Sequence, residues 1–320
     1  MPMIRDQYGR SFRSLRVSLV SHCNLGCVYC VAGDETVKAA GASKNDGRLS
    51  VPSLLDTIGR LHTLLDLQTI RLTGGEPLLY TGLSELVRGI GDLGIPAIKL
   101  TTNAFLLHRL AGPLKEAGLT SINVSLDAVD EDIFYKMSRR HSVARVIQGI
   151  DAALEAGMEV KINAVIMRGI NDGQILPLLE LASSRGCRIR FLEVMAMGHL
   201  HNQAEKYLFS QQDILSVISS CHTVRPLGRT TSATAGYWQT EEGQEFGVIA
   251  NETVPFCSDC DRLRLDSSGN IYGCLSSNHP IRLDGQDDNL VWADRLHQAL
   301  LQKQPLRFTG SGLSMMYIGG

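Results

Sequence analysis

No stretch of eighteen apolar residues occurs anywhere in this 320-residue sequence, so a membrane-spanning helix is not expected. The opening MPMIRDQYGRSF is polar and lacks the apolar core of a secretory leader. An excess of charge of one sign is also missing. The 31 Lys+Arg against 33 Asp+Glu leave a formal net charge of −2, and nothing global favours a nucleic acid or a membrane surface as partner. Internal repeats and low-complexity tracts are absent. These absences leave a cytoplasmic globular protein, long enough for one large domain or for a main domain with a smaller one.

Cysteine is not scarce. Six of the eight fall into two triplets, Cys23-x3-Cys27-x2-Cys30 and Cys257-x2-Cys260-x13-Cys274. In a reducing cytosol a disulfide framework is not expected, which turns the triplets toward metal. Three closely spaced thiolates can hold three irons of a cubane cluster and leave the fourth without a protein ligand, giving a redox centre in one place and a Lewis-acid or substrate-binding centre in another. A zinc site would need a fourth ligand in each case; His22 and His279 are the near candidates, and His22 directly precedes Cys23, which makes closing one tetrahedron awkward. Cys187 and Cys221 stand alone and read as small buried hydrophobes.

From Ser14 to about Met195 short apolar runs alternate with helical patterns. Strands are predicted at 15–20, 69–73, 97–102, 121–126, 160–166 and 188–194, and Val51, Leu54, Leu55, Ile58, Leu61 and Leu65 form the clearest helical stripe. Six successive β-then-α units argue for parallel strands with crossover helices, an α/β sheet that is barrel-like or partly closed, with its active site at the carboxyl ends of the strands. Residues 31–47 read as a long mobile loop. After Phe209 the alternation stops. A helix at 211–219, strand-like pieces at 246–249 and 262–266, a turn at 267–270 and a last helix over about 289–302 make a smaller α+β extension. The expected domains are 1–209 and 210–320.

Arg16, Arg71, Lys161 and Arg190 each sit inside an apolar strand. A cation buried under covering helices without a partner costs several kcal/mol, whereas one pointing into a solvated interior is tolerable. One or two such residues could simply pair with carboxylates such as Glu76 or Glu193. Four from four strands suggest an interior built for a polyanion, with phosphates the natural candidate and Thr101, Thr102 and Asn103 adding neutral donors. Thr73-Gly74-Gly75-Glu76-Pro77 closes the second strand, and taken alone its glycines could be a plain turn. Asp261-Arg262-Leu263-Arg264-Leu265 follows the second triplet and puts Arg262 and Arg264 on one strand face. The terminal Gly319-Gly320 is flexible, and simple fraying is its bland explanation.

The first triplet, with Tyr29 before its last cysteine and the loop directly after the first strand, resembles the radical S-adenosylmethionine superfamily, as does Gly74-Gly75-Glu76-Pro77. Two triplets at these spacings, Cys-x-x-Cys-Asp-Arg-Leu-Arg-Leu and a Gly-Gly terminus are together similar to the GTP 3′,8-cyclase (MoaA) family of molybdenum cofactor biosynthesis, nearly end to end. The resemblance implies an incomplete (β/α)6 barrel whose C-terminal extension carries a second iron–sulfur cluster. It implies two [4Fe-4S] clusters and S-adenosylmethionine as cofactors, and GTP as substrate. A 5′-deoxyadenosyl radical would take the ribose 3′ hydrogen, and the C3′ radical would close onto purine C8. Cys23, Cys27 and Cys30 would hold the catalytic cluster. Tyr29, Gly75, Ser125 and Met195 would contact S-adenosylmethionine, Gly75 by letting its methionine end come close. Arg16, Arg71, Thr102, Lys161, Arg190, Arg262 and Arg264 would bind GTP, with Arg262 and Arg264 also serving catalysis. Cys257, Cys260 and Cys274 would hold the second cluster, and Gly319 and Gly320 would reach toward the site. A low-potential electron donor and the downstream cyclic pyranopterin monophosphate synthase are the implied partners, with a homodimer as the option for self-association.

The sequence departs from that family at Ser21-His22 and Val31-Ala32, where Asp-Arg and Met-Pro are usual, and at Thr69, where a lysine is usual. Ala104 replaces a glycine, and the usual Gly-Pro-Ala-Arg stretch is weak near 233–237. These changes gather around the nucleotide site rather than the clusters. A paralogous radical enzyme acting on another nucleotide or on a peptide therefore stays open beside the GTP reading, and a non-enzymatic metal protein stands behind both.

Overall fold

The computed structural model describes residues 4–33 and 48–319; the greater part of the loop predicted at 31–47 lies outside the described residues, as does Gly320. In chain order the elements are β1 (Ser14–Ser18), α1 (Val51–Leu65), β2 (Thr69–Thr73), α2 (Leu83–Asp92), β3 (Ala97–Thr102), α3 (Leu107–Glu116), β4 (Ser121–Ser125), α4 (Glu131–Ser138), α5 (Val143–Glu155), β5 (Glu159–Ile166), α6 (Ile175–Ser184) and β6 (Arg188–Glu193). There follow α7 (Ala204–Tyr207), α8 (Gln211–Ser219), β7 (Val224–Gly228), β8 (Gly236–Thr240), β9 (Glu245–Ile249), β10 (Arg262–Leu265), β11 (Asn270–Tyr272), β12 (Ile281–Arg282), α9 (Asn289–Leu300) and α10 (Met315–Ile318). All six strands predicted in the first two thirds are present, within two residues of their expected ends.

One large sheet runs β12-β11-β10-β1-β2-β3-β4-β5-β6-β9-β8-β7. From β10 through β9 every neighbouring pair is parallel; antiparallel strands finish both edges. The C-terminal third therefore builds no sheet of its own. It adds β10, β11 and β12 beside β1, and β9, β8 and β7 beside β6.

Alternation along the strands decides what each face does. Leu15 and Val17, Ile70 and Leu72, Ile98 and Leu100, Ile122 and Val124, and Ile162 and Ala164 are buried in the main core, which the helices share. Helix α1 shows why the local sequence folds as it does. Ser50 accepts from the Ser53 amide as its N-cap, Pro52 occupies the first turn, and Leu54, Ile58, Leu61 and Leu65 turn one stripe inward. Asp66, left-handed at φ 53°, ends it. The opposite strand face carries Arg16, Arg71, Lys99, Asn123, Lys161 and Arg190, which line a cavity instead of a core. Cys187 is buried as expected; Cys221 is exposed just beyond α8, because the helix ends before its side chain can turn inward.

Candidate active site

The first triplet lies in the loop that leaves β1, and backbone contacts pin that loop on three sides. The Gly75 amide donates to the Val20 carbonyl at 2.7 Å and the Glu76 amide to the His22 carbonyl at 2.9 Å. A Cβ at Gly75 would stand 2.0 Å from the His22 carbonyl oxygen, so the close approach that forbids a side chain here is the cluster loop's own backbone. Gly26 and Val28 donate to the carbonyls of Ser138 and Met137 at the end of α4. Ser314, in the C-terminal tail, donates to the Cys30 carbonyl at 3.1 Å.

The three thiols line a cavity of about 200 Å³, and Tyr29, Gly75, Ser125 and Met195 line the same cavity. All four residues expected to contact S-adenosylmethionine are thus gathered with the expected cluster ligands. The Leu25 amide and the Asn103 side-chain amide donate to Cys23 Sγ at 3.4 and 3.5 Å. Burial pushes the Cys23 thiol up to about 12, with the Glu76 carboxylate adding to it; burial, Cys23 and Asp127 do the same to Cys30, also to about 12. Burial, Cys30, Asp127 and Cys23 raise Cys27. Burial opposes ionisation of all three, and neighbouring thiols add to it at Cys27 and Cys30, so holding them as thiolates needs positive charge between them, which suits a metal cluster. Tyr29 donates to Asp127 at 2.9 Å, and Asp127 also accepts from the Val165 amide at 2.8 Å while burial pushes its carboxyl up to about 6.

A second cavity of about 650 Å³ adjoins the first; Thr101, Asn163, Leu192, Met195 and Met315 belong to both walls. The expected cations Arg16, Arg71, Lys161, Arg190, Arg262 and Arg264 all line it, and Asp261 is the one carboxylate among its described lining residues. Lys161 pairs with Glu159 at 2.5 Å and Arg262 with Asp261 at 3.6 Å; the two carboxylates expected as partners, Glu76 and Glu193, are engaged elsewhere. Glu76 accepts from the Thr102 hydroxyl at 2.6 Å and from the Asn103 and Leu78 amides. Glu193 accepts from the Gln211, Glu252 and Thr253 amides and from the Thr253 hydroxyl. Burial, followed by the charges of Arg264, Arg71 and Arg262, holds Arg16 well below the usual arginine range. Burial and neighbouring arginines bring Arg71 to about 10, and burial with Arg262 brings Arg264 to about 10. Such crowding favours the entry of an anion.

Cys257, Cys260 and Cys274 line the far wall of this larger cavity. Arg10 donates to the Cys257 carbonyl at 2.5 Å and forms an ion pair with Asp6 at 2.6 Å, fixing the loop to the N-terminal segment. Burial raises the Cys257 thiol to about 11. At Cys260 burial acts upward too, but Lys303 and Arg262 overcome it and bring the thiol down to about 7. Among the described residues no three His, Cys, Asp or Glu side chains converge on one metal ion; each triplet instead lines cavity space.

Two expectations need correction or limit. Thr102 does not stand with the cations: its hydroxyl is spent on Glu76 and it lines the smaller cavity, while Thr101, one residue earlier and on the cation face, reaches both. Gly319 is in the tail that docks on the site, and its carbonyl and that of Ile318 accept from Arg264. Gly320 lies outside the described residues. Sequence reasoning missed Lys99, although it has the same mid-strand setting in AIKLTT as the four cations it found. It also missed Lys303, which is 4% exposed and donates to Cys260 Sγ at 3.4 Å; flanked by Gln302 and Gln304 beyond a helix, Lys303 carries no pattern that could have marked it.

A parallel α/β sheet with a Cys-x3-Cys-x2-Cys loop leaving its first strand and a Gly-Gly-Glu-Pro turn leaving its second defines a radical S-adenosylmethionine protein. Residues 17–182 match the radical SAM superfamily and residues 187–306 match Molybdenum Cofactor Synthesis C. A GTP 3′,8-cyclase of Synechocystis sp. is 36% identical over 98% of this chain and 94% of its own length; one from Corynebacterium glutamicum (strain ATCC 13032) is 36% identical over 94% and 83%. The chain belongs to the GTP 3′,8-cyclase family. Among solved structures, Streptococcus suis SuiB bound to precursor peptide SuiA has a TM-score of 0.68 at 16% identity, covering 92% of this chain and 67% of SuiB, a likeness of fold alone.

Proposed function

We infer that this protein is a radical S-adenosylmethionine enzyme that converts GTP to (8S)-3′,8-cyclo-7,8-dihydroguanosine 5′-triphosphate in molybdenum cofactor biosynthesis. One observation carries the reading: a cavity rimmed by the first thiol triplet opens into a second cavity that holds both the cations and the second triplet. When bound, the [4Fe-4S] cluster and S-adenosylmethionine supply the radical that takes the hydrogen from the ribose 3′ carbon. The chain's own residues do the rest. Cys23, Cys27 and Cys30 would hold that cluster, and Tyr29, Gly75, Ser125 and Met195 would seat S-adenosylmethionine. Arg16, Arg71, Lys161, Arg190, Arg262 and Arg264 would neutralise the triphosphate, so that the ribose is held at the shared wall near Met195. Cys257, Cys260 and Cys274 would hold a second cluster facing the base, with Arg262 and Arg264 orienting the nucleotide beside it. Gly319 and Gly320 would close the site by way of Arg264.

In this reading residues 1–209 are an incomplete (β/α)6 barrel and 210–320 its extension. The protein works in the cytoplasm with a low-potential electron donor, passes its product to a cyclic pyranopterin monophosphate synthase, and can self-associate as a homodimer. The test is anaerobic reconstitution followed by turnover with GTP deuterated at the ribose 3′ carbon. Deuterium should appear in 5′-deoxyadenosine, and cleavage should depend on GTP. Deoxyadenosine that never carries the label would sink the reading.

A further inference from the structure

Arg264, Arg16, Arg71 and Lys99 stand directly opposite one another on the adjacent strands β10, β1, β2 and β3. Neighbouring strands are about 4.8 Å apart, so four positive side chains form a line of roughly 14 Å along one wall of the larger cavity. Beyond Lys99 the row turns neutral, because its partner on β4 is Ser121. Like charges directly opposite in a sheet repel and weaken it. A fourth cation at the end of such a row therefore lowers the stability of the empty protein unless something compensates it.

Among the described residues the compensation reaches the other members of the row and stops short of a direct contact with Lys99. Arg264 is held by the tail carbonyls, and Arg71 reaches Thr101 Oγ1 at 3.5 Å. Among the described residues no hydrogen bond or ion pair engages the Lys99 ammonium. The nearest acidic influence, Glu159, is already paired with Lys161 at 2.5 Å. Burial, with the charges of Arg71 and Lys161, holds the Lys99 ammonium below its ordinary value. A half-buried amine that faces a cavity, lacks a partner and is repelled by its neighbours is suited to receiving an anion from that cavity.

We propose that Lys99 is a phosphate-binding residue of the substrate site, gripping the end of a polyphosphate chain laid along the Arg264–Arg16–Arg71 row. The assignment rests on the reading of the substrate as a nucleoside triphosphate. Thr69 lines the same cavity two residues before Arg71 on the neighbouring strand, so an ammonium placed there could take over the contact.

Lys99→Met keeps most of the stem and removes the charge. Equilibrium binding to the reconstituted holoenzyme, with GTP, guanosine and inorganic tripolyphosphate as probes, tests the role. Lys99→Met should weaken GTP and tripolyphosphate about tenfold each and leave guanosine within about twofold. It should also raise the melting temperature of the nucleotide-free protein by about 1–3 °C, because a repulsion is removed. Thr69→Lys in the Lys99→Met background should restore most of the tripolyphosphate affinity. Unchanged tripolyphosphate affinity, an equal loss for guanosine, or a lowered melting temperature would overturn the proposal. A wild-type protein that binds tripolyphosphate but not GTP would instead overturn the reading of the substrate and leave the role of Lys99 to be decided by the variant.

Discussion

The ammonium of Lys303 donates to Cys260 Sγ at 3.4 Å and, from the same nitrogen, to the Arg262 carbonyl. It thereby ties a thiol of the second triplet to the strand that carries Arg262 and Arg264. The contact also separates Cys260 chemically from the other thiols of both triplets whose acidity is shifted: Cys260 sits at about 7, Cys257 at about 11, and Cys23 and Cys30 at about 12. In iron-free protein a thiol at about 7 passes to thiolate as the pH rises through neutrality, and the thiolate is the reactive form. Iodoacetamide at pH 8 should therefore label Cys260 well ahead of Cys257, Cys23 and Cys30, with labelling that falls away below pH 7. Lys303→Met should move that rise to higher pH. Peptide mapping by mass spectrometry reads both results, and labelling of all these thiols together at one pH would contradict the account.

Why Lys303 and not Arg16 escaped the sequence is a matter of which physics leaves a local trace. Strand alternation is local, so TIRLT and AIKLTT already state that Arg71 and Lys99 face away from the buried Ile and Leu positions, and β2 and β3 have the expected bounds. Pairing between β1 and β10 joins residues some 248 positions apart, Leu15 with Leu263, and no local pattern announces it. The strand VRPLG at β7 contains a proline and exposes four of its five residues, as an outermost strand can, so it has no apolar alternation to find. The tail helix α10 is four residues long, below the length at which periodicity speaks. The two triplets stand out in the sequence because spacing is itself the signal; the partners of those thiols do not, because Lys303 and Asn103 reach them only through the fold.

Gly75→Ala tests whether the cluster loop depends on the Gly-Gly-Glu-Pro turn for its shape. The new Cβ would meet the His22 carbonyl oxygen at 2.0 Å, and both partners are backbone, so one strand-end must move. Overpacking of this kind costs about 1–3 kcal/mol, and the displaced segment leads directly into Cys23. The variant should melt earlier and bind roughly half the iron of the wild type, since Cys257, Cys260 and Cys274 line a cavity that Gly75 does not. Full iron content with unchanged melting would show that the loop tolerates the shift.

Gly319→Ala should act differently, on the tail alone. Gly319 has φ +75°, and a Cβ there would lie 2.4 Å from Thr73 Cγ2. With ψ at 136° this positive-φ backbone lies where alanine is rarely found, which adds about 1–3 kcal/mol, and the contact with Arg264 is lost if the tail lifts. The body of the sheet should melt unchanged, while carboxypeptidase trims the terminus faster than in the wild type. Thr73→Ser removes the obstructing methyl, and the double variant should recover part of the protection. Equal trimming of wild type and Gly319→Ala would mean that the tail is not held where Arg264 meets it.

Cys257→Ser separates the duties assigned to the two triplets. Cys257 lines only the larger cavity, and the residues common to both walls are Thr101, Asn163, Leu192, Met195 and Met315. Replacing its sulfur should damage whatever the second triplet binds while leaving Cys23, Cys27, Cys30 and their hydrogen bonds from Leu25 and Asn103 untouched. Reductive cleavage of S-adenosylmethionine under strong reductant should therefore persist within about threefold of wild type, whereas GTP consumption should fall by at least about a hundredfold, a loss of some 3 kcal/mol in the transition state. The split matters more than either number. Loss of both activities together would mean that the second triplet supports the first structurally; retention of both would remove Cys257 from the substrate site. Only cleavage that continues without transfer of the ribose 3′ hydrogen fits a site in which one set of thiols generates the radical and the other holds the molecule it attacks.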